Sequence, residues 1–301
     1  MAKLSSWIAS FRLRTLPLSL STIVLGSALA AYYHAFDWVV FILAMMTTLF
    51  LQVLSNLAND YGDGLKGTDM HRQGEKRMVQ SGEISESKMK RAIVVCASLA
   101  FVSGISLLTV AFKGEFSLSG VLFLVIGLLA IGAAVKYTIG RNPYGYKGLG
   151  DLAVFIFFGL VGVLGTFYLH ALKFHFLLLI PAIAMGLLSV AVLNVNNLRD
   201  WPSDANAGKR SLVVIYGDKF GKRYHFILIG LSFLLLGLFM FFIDSSWVRW
   251  IFLLPLPGFI LHLKTIHQND NPPALDPELK RLALLIFATV ILFSVVLILM
   301  L

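Results

Sequence analysis

Nine apolar runs, near residues 16–34, 38–58, 92–112, 118–138, 152–171, 175–198, 225–243, 247–263 and 282–301, make up most of this 301-residue chain. A helix needs about 20 such residues to cross the hydrocarbon core of a bilayer. Lipid offers the backbone no hydrogen-bond partners, so each crossing segment must satisfy its own polar groups. The pattern therefore predicts an all-α fold: a polytopic integral membrane bundle of about nine transmembrane helices in contact with the lipid bilayer. Composition agrees, with 58% hydrophobic and 14% charged residues and a mean hydropathy of +0.82, where soluble domains carry about 25% charge. No linker or low-complexity segment interrupts the runs, so residues 1–301 are expected to form one integral membrane domain. The first run is long enough to span, and it reads as an uncleaved helix rather than a signal peptide.

The formal charge of +9 is distributed unevenly. With alternate loops assigned to opposite sides, Lys3, Arg12, Arg14, the seven basic residues from Lys66 to Arg91, Arg141, Lys147, the six from Arg199 to Arg223, and Lys264 share one side. The other side holds Lys113, Lys173 and Arg249. The positive-inside rule then places the N-terminus and the large loops in the cytoplasm and the C-terminus outside, as expected of a multi-pass protein of the inner cell membrane. These basic residues are scattered over membrane-adjacent loops with no nucleic-acid motif, so a nucleic-acid partner is not expected. Cys96 is the only cysteine and forms no internal disulfide; the histidines show no zinc-ligand spacing.

Two acidic clusters break the apolar pattern, and both fall on the predicted cytoplasmic side. In the first, Asn56, Asn59, Asp60 and Asp63 are spaced i, i+3, i+4 and i+7, the spacing of one helical face. In the second, Asn196, Asp200 and Asp204 are spaced by fours, with Asn197 one turn from Asp200; Pro202 makes the position of Asp204 the less secure, at a kink or on the following loop. Carboxylates at the edge of a membrane span are costly unless compensated. Magnesium suits such donors, because it takes one or two protein carboxylates and completes its shell with water and phosphate oxygens. The candidate metal ligands are Asn59, Asp60, Asp63, Asn196, Asp200 and Asp204. Basic residues follow each cluster: Lys66, Arg72, Lys76 and Arg77 after the first, Lys209 and Arg210 after the second. Arginine forks and lysine point charges both bind phosphate oxygens.

At these residues the chain resembles the UbiA-type intramembrane prenyltransferases, whose two aspartate-rich motifs bind magnesium and a polyprenyl diphosphate. Asn59-Asp60-Tyr61-Gly62-Asp63 resembles the first motif and Asp200-x-x-x-Asp204 the second. The longer strings Asn56 to Asp69, Pro143-Tyr144-Gly145-Tyr146-Lys147-Gly148-Leu149-Gly150-Asp151, and Asn196 to Asp200 with Gly208 to Leu212, are similar to the branch that prenylates 1,4-dihydroxy-2-naphthoate. The likeness extends to Arg14-Thr15-Leu16-Pro17. Where the superfamily's first motif closes with a third acid, this chain has Gly67, and the acid comes later at Asp69.

The resemblance implies a magnesium-dependent aromatic prenyl transfer with Asp63 and Asp200 central and Lys66, Arg77, Lys209 and Arg210 on the diphosphate. Tyr144, Tyr146 and Lys147 are the candidate contacts for the acceptor. Asp151 either acts on the naphthoate hydroxyl or is an acid favoured by the first turn of a helix. An acceptor such as 4-hydroxybenzoate, homogentisate or a sugar phosphate is an alternative within the superfamily. An ion-coupled transporter is the non-enzyme alternative, although transport sites usually lie at the bilayer midplane.

Overall fold

The computed structural model describes residues 3–66, 77–115, 117–243 and 246–301. Its twelve α-helices, in chain order, are α1 (Leu4–Phe11), α2 (Leu16–Tyr32), α3 (Trp38–Lys66), α4 (Glu86–Ala111), α5 (Leu118–Lys136), α6 (Gly150–Val154), α7 (Thr166–Ala171), α8 (Leu179–Asn206), α9 (Leu212–Tyr216), α10 (Asp218–Ile243), α11 (Leu256–Gln268) and α12 (Asp276–Leu299). There is no strand among the described residues. Nine helical segments among them are long and apolar enough to cross a membrane, and they match the nine runs. The chain is a multi-pass membrane protein.

The helices outlast the apolar runs at the predicted cytoplasmic ends. α3 continues to Lys66 instead of stopping near 58, α4 begins at Glu86, α8 continues to Asn206, α10 begins at Asp218 and α12 at Asp276. Hydropathy marks only the part of a helix that lipid touches, whereas the polar ends remain helical and pack on one another. α8 runs through Pro202, so Asp204 lies on the helix rather than on a following loop.

The packing has two flanks. α3, α4 and α5 pack together, and α2 joins α12, α3 and the fifth span. α8 forms the centre, against α10 on one side and a π-helical stretch, Phe155–Gly165, on the other. Gly159 makes that second contact possible, because a Cβ there would lie 2.7 Å from the Ala182 carbonyl oxygen and from the Gly186 Cα. Larger side chains would force the two backbones apart, as small residues at membrane helix contacts prevent. The remaining helices are tied by a buried chain of polar groups. The ring nitrogens of His225 (α10) and His262 (α11) lie 2.9 Å apart, and His262 Nδ1 lies 2.5 Å from Glu278 of α12.

Candidate active site

The polar ends of α3 and α8 face a common cavity of about 420 Å³ between the two flanks. Asn56, Asn59 and Asp63 line it from α3, and Asn196, Asp200 and Asp204 from α8. The rest of its wall is largely apolar, with Leu107, Leu108, Phe123, Phe157, Val161 and Leu169 among the residues reaching deepest into the spans. Its polar mouth thus adjoins an oily interior.

Each carboxylate in the mouth has a basic partner. Arg77 donates to Asp63 Oδ2 at 2.7 Å, and the Tyr146 hydroxyl donates to Oδ1 at 2.8 Å. Lys209 Nζ lies 2.9 Å from Asp204 Oδ2. Arg199 grips Asp200 in a bidentate fork, Nε to Oδ1 at 2.8 Å and one terminal nitrogen to Oδ2 at 2.7 Å. Buried charges need such pairing, since an isolated one would neutralise or stay hydrated. Burial alone would lower the pKa of the Lys209 ammonium, but Asp204, then Tyr137 and Asp63, hold it above the ordinary lysine range. Lys209 therefore remains a cation at neutral pH. Burial pushes the Tyr137 hydroxyl up to about 12, so its ring is a neutral phenol beside the mouth.

The amides are oriented as well. Gly62 lets Thr138 approach α3, where a Cβ would meet the Thr138 hydroxyl at 2.6 Å. Thr138 then donates to the Ala58 carbonyl at 2.9 Å and lies 3.2 Å from Asn59 Oδ1. Asn56 turns its amide group to the Phe11 carbonyl and the Thr15 hydroxyl, at 2.9 and 3.0 Å, and so ties α3 to the N-terminal segment. The Pro143–Asp151 string curls over Tyr137: the Gly145 amide donates to the Tyr137 carbonyl at 3.1 Å, and the two rings of Tyr137 and Tyr144 meet edge to face at 5.3 Å.

Of the residues expected from sequence, Asn59, Asp63, Arg77, Tyr144, Tyr146, Asn196, Asp200, Asp204 and Lys209 all line this cavity. Four do not. Asp60 turns away and accepts the backbone N–H groups of Met78 and Val79 at 3.1 and 3.0 Å, which fastens the segment carrying Arg77. It anchors that backbone and is not part of the cavity wall. Asp151 sits in the first turn of α6, where the Tyr224 hydroxyl donates to it at 3.4 Å, outside the cavity wall. Lys147 and Arg210 are exposed at the surface, and Arg210 contributes only its backbone N–H, to the Tyr146 carbonyl at 3.0 Å. Lys66 closes α3; its side chain, with Asp69, Arg72 and Lys76, lies outside the described residues. The sequence reading gave no site role to Arg199, Thr138 or Asp276. Arg199 carried a signal, its adjacency to Asp200, but positive loop charge offered a sufficient account of it.

The donor set suits magnesium. All the cavity-lining candidates are carboxylate or amide oxygens, and among the described residues no three acidic, histidine or cysteine groups converge into a complete cage. An ion here would need phosphate or water oxygens to complete its shell, as magnesium does.

The described residues thus enclose a cavity with an oxygen-rich polar mouth and an apolar interior within a bundle of membrane-spanning helices. Residues 19–285 match the UbiA prenyltransferase family, and the chain belongs to that family. It is 43% identical over 283 residues to the 1,4-dihydroxy-2-naphthoate octaprenyltransferase of Escherichia coli, covering 93% of this chain and 91% of that protein. The enzyme of the same name from Mycobacterium leprae is 35% identical over 280 residues, with 93% and 92% covered. Among solved structures, a UbiA homolog from Aeropyrum pernix superposes with a TM-score of 0.71 at 17% identity, covering 93% of this chain and 98% of that one. A homolog from Archaeoglobus fulgidus bound to GPP and Mg2+ has a TM-score of 0.61 at 14% identity, with 94% and 99% covered.

Proposed function

We infer that this chain transfers a polyprenyl group from polyprenyl diphosphate to 1,4-dihydroxy-2-naphthoate, releasing pyrophosphate and CO2 and giving demethylmenaquinol, the reduced form of demethylmenaquinone. The observation that carries the reading is the meeting of the α3 and α8 acid clusters at one cavity, in a chain 43% identical to an enzyme named for this acceptor. An octaprenyl donor accords with the names of the relatives.

In this reading the diphosphate occupies the mouth and the tail lies along the apolar wall. Asp63, Asp200 and Asp204, with Asn59 and Asn196, would hold magnesium, which would supply Lewis-acid stabilisation of the leaving group. Arg77 and Lys209 reach diphosphate oxygens from the same wall, placing fixed positive charge where negative charge develops. Tyr146 keeps Asp63 oriented through its hydrogen bond, and the Thr138 hydroxyl packs against Asn59. The neutral rings of Tyr137 and Tyr144 present π faces to the allylic carbon as it gains positive charge.

The ring carbon that bears the carboxylate attacks this allylic carbon. The C–O bond to diphosphate breaks with its electron pair leaving on pyrophosphate, and the ring–carboxylate bond then breaks to release CO2 and restore the aromatic ring. The apolar wall keeps water from capturing the cation. The N-terminus and the site face the cytoplasm of the inner membrane, and the C-terminus faces out, in accord with the loop charges.

The test is transfer from radiolabelled octaprenyl diphosphate by detergent-purified protein, with dihydroxynaphthoate, 4-hydroxybenzoate and magnesium-free arms. Magnesium-dependent, naphthoate-selective product is expected. Product with 4-hydroxybenzoate alone would overturn the acceptor assignment, and no transfer to either by folded protein would overturn the reaction.

A further inference from the structure

Behind the α8 cluster lies a second set of charges that does not face the cavity. The Arg199 side chain is 1% exposed and forms no part of the cavity wall, although its neighbours Asn196 and Asp200 do. Its guanidinium is engaged on every nitrogen. Besides the fork to both Asp200 oxygens, it donates to Asn196 Oδ1 at 2.7 Å and to Asp276 Oδ1 at 2.6 Å. Asp276 opens α12, where the helix N-terminus favours an acid. Its other oxygen accepts from Arg14 at 3.0 Å, and Arg14 does line the cavity. One carboxylate on the last helix thus joins a buried arginine behind Asp200 to a cavity-facing arginine from the N-terminal turn.

Resting on the reading above, we propose that Arg199 and Asp276 are positioning residues: Arg199 fixes the metal-facing oxygens of Asp200 and Asn196, and Asp276 holds Arg199 on them and Arg14 at the mouth. A flexible arginine beside a diphosphate would be drawn to that anion. Arg199 is not available to it, because four donated bonds and burial hold it in place. The carboxylate oxygens of Asp200 retain lone pairs after accepting from Arg199, so the fork and an ion can be held together. Groups that orient metal ligands from behind typically change metal affinity by about 10–100-fold when altered.

The test uses Mn2+ as a paramagnetic probe with inorganic pyrophosphate, titrated into full-length detergent-purified protein, with thermal unfolding measured on each sample. Arg199→Lys keeps the charge but loses the fork, and is expected to weaken Mn2+ by about 10–100-fold. Asp276→Asn is expected to weaken it less, and Asp276→Glu to restore it. In turnover assays at varied magnesium, both Arg199→Lys and Asp276→Asn should raise the magnesium requirement more than they lower kcat at saturating metal. Wild-type affinity in Arg199→Lys, or a lowered Tm without any change in Mn2+ affinity, would overturn the proposal and leave the proposed function standing. If the wild-type protein binds no Mn2+–pyrophosphate, the reading on which the proposal rests fails with it.

Discussion

The two acid clusters share one cavity but are neutralised in different ways. Asp63 is held by groups distant in sequence: Arg77 across the loop after α3, and Tyr146 from the segment before α6. Both of these line the cavity. Asp200 is held by its own neighbour Arg199, which is buried and braced from behind by α12. On the proposed function, the first cluster carries a cation that a diphosphate would take over once magnesium compensated Asp63. In the second, Arg199 stays with Asp200, while Lys209, paired with Asp204, faces the cavity as Arg77 does. The Asp63–Arg77 and Asp204–Lys209 pairs thus stand at the cavity wall, whereas the cation on Asp200 is held behind it.

If both clusters hold metal, Asp63→Asn and Asp200→Asn should each lower turnover by more than about a hundredfold, beyond what outer-shell changes cost. Steady-state prenyl transfer at limiting magnesium, on samples shown folded by thermal unfolding, measures this. Near-normal turnover in either variant would break the symmetry of the comparison and remove that cluster from the metal.

The difference between the clusters is sharpened by truncating the cations. Removing one partner of a buried ion pair costs about 3–5 kcal/mol, so both Arg77→Ala and Arg199→Ala should unfold at lower temperature without ligand. Magnesium pyrophosphate should restore most of the loss in Arg77→Ala, because the ion replaces the missing charge at Asp63. It should restore only part in Arg199→Ala, where Asp276 also loses its buried partner away from the cavity. Equal recovery in the two variants would mean that the arginines are equivalent.

A smaller effect is expected from Tyr146→Phe, which removes one hydrogen bond to Asp63. A bond to a charged group is worth about 1.5–3 kcal/mol, so kcat/KM should fall roughly tenfold or somewhat more. The loss should appear in the magnesium dependence. A fall in kcat with unchanged magnesium dependence would instead place Tyr146 on the acceptor, as its sequence context implied.

The nine spans and both acid clusters were legible in the sequence because apolar length and i, i+4 spacing are local properties. The length of the helices was less so. Asp63 and Asp204 lie beyond the apolar runs on helix ends kept by packing rather than by lipid, and a proline at 202 pointed wrongly to a break. Asp60 shows the limit of spacing arguments. It shares a face with Asn56 and Asn59 by periodicity, yet the backbone of Met78 and Val79 takes both its oxygens. Nothing local announces that. The roles of Arg199 and Asp276 depend on bringing α8 and α12 together across 77 positions of sequence, which no motif reports.

Lys147 and Arg210 supply the smallest predicted effect and the cleanest separation of motif from site. Both belong to strings that resemble the family's, and that resemblance made them candidates for the acceptor and the diphosphate. Their side chains are exposed and stand outside the cavity wall; what their segment contributes is backbone, the Arg210 amide donating to the Tyr146 carbonyl. An alanine at either position retains that backbone bond. Surface substitutions of this kind usually change stability by less than about 0.5 kcal/mol, so Lys147→Ala and Arg210→Ala should leave Tm nearly unchanged and keep kcat/KM within about twofold of wild type. A tenfold rise in KM for the diphosphate in Arg210→Ala would show that its side chain swings into the mouth when substrate binds.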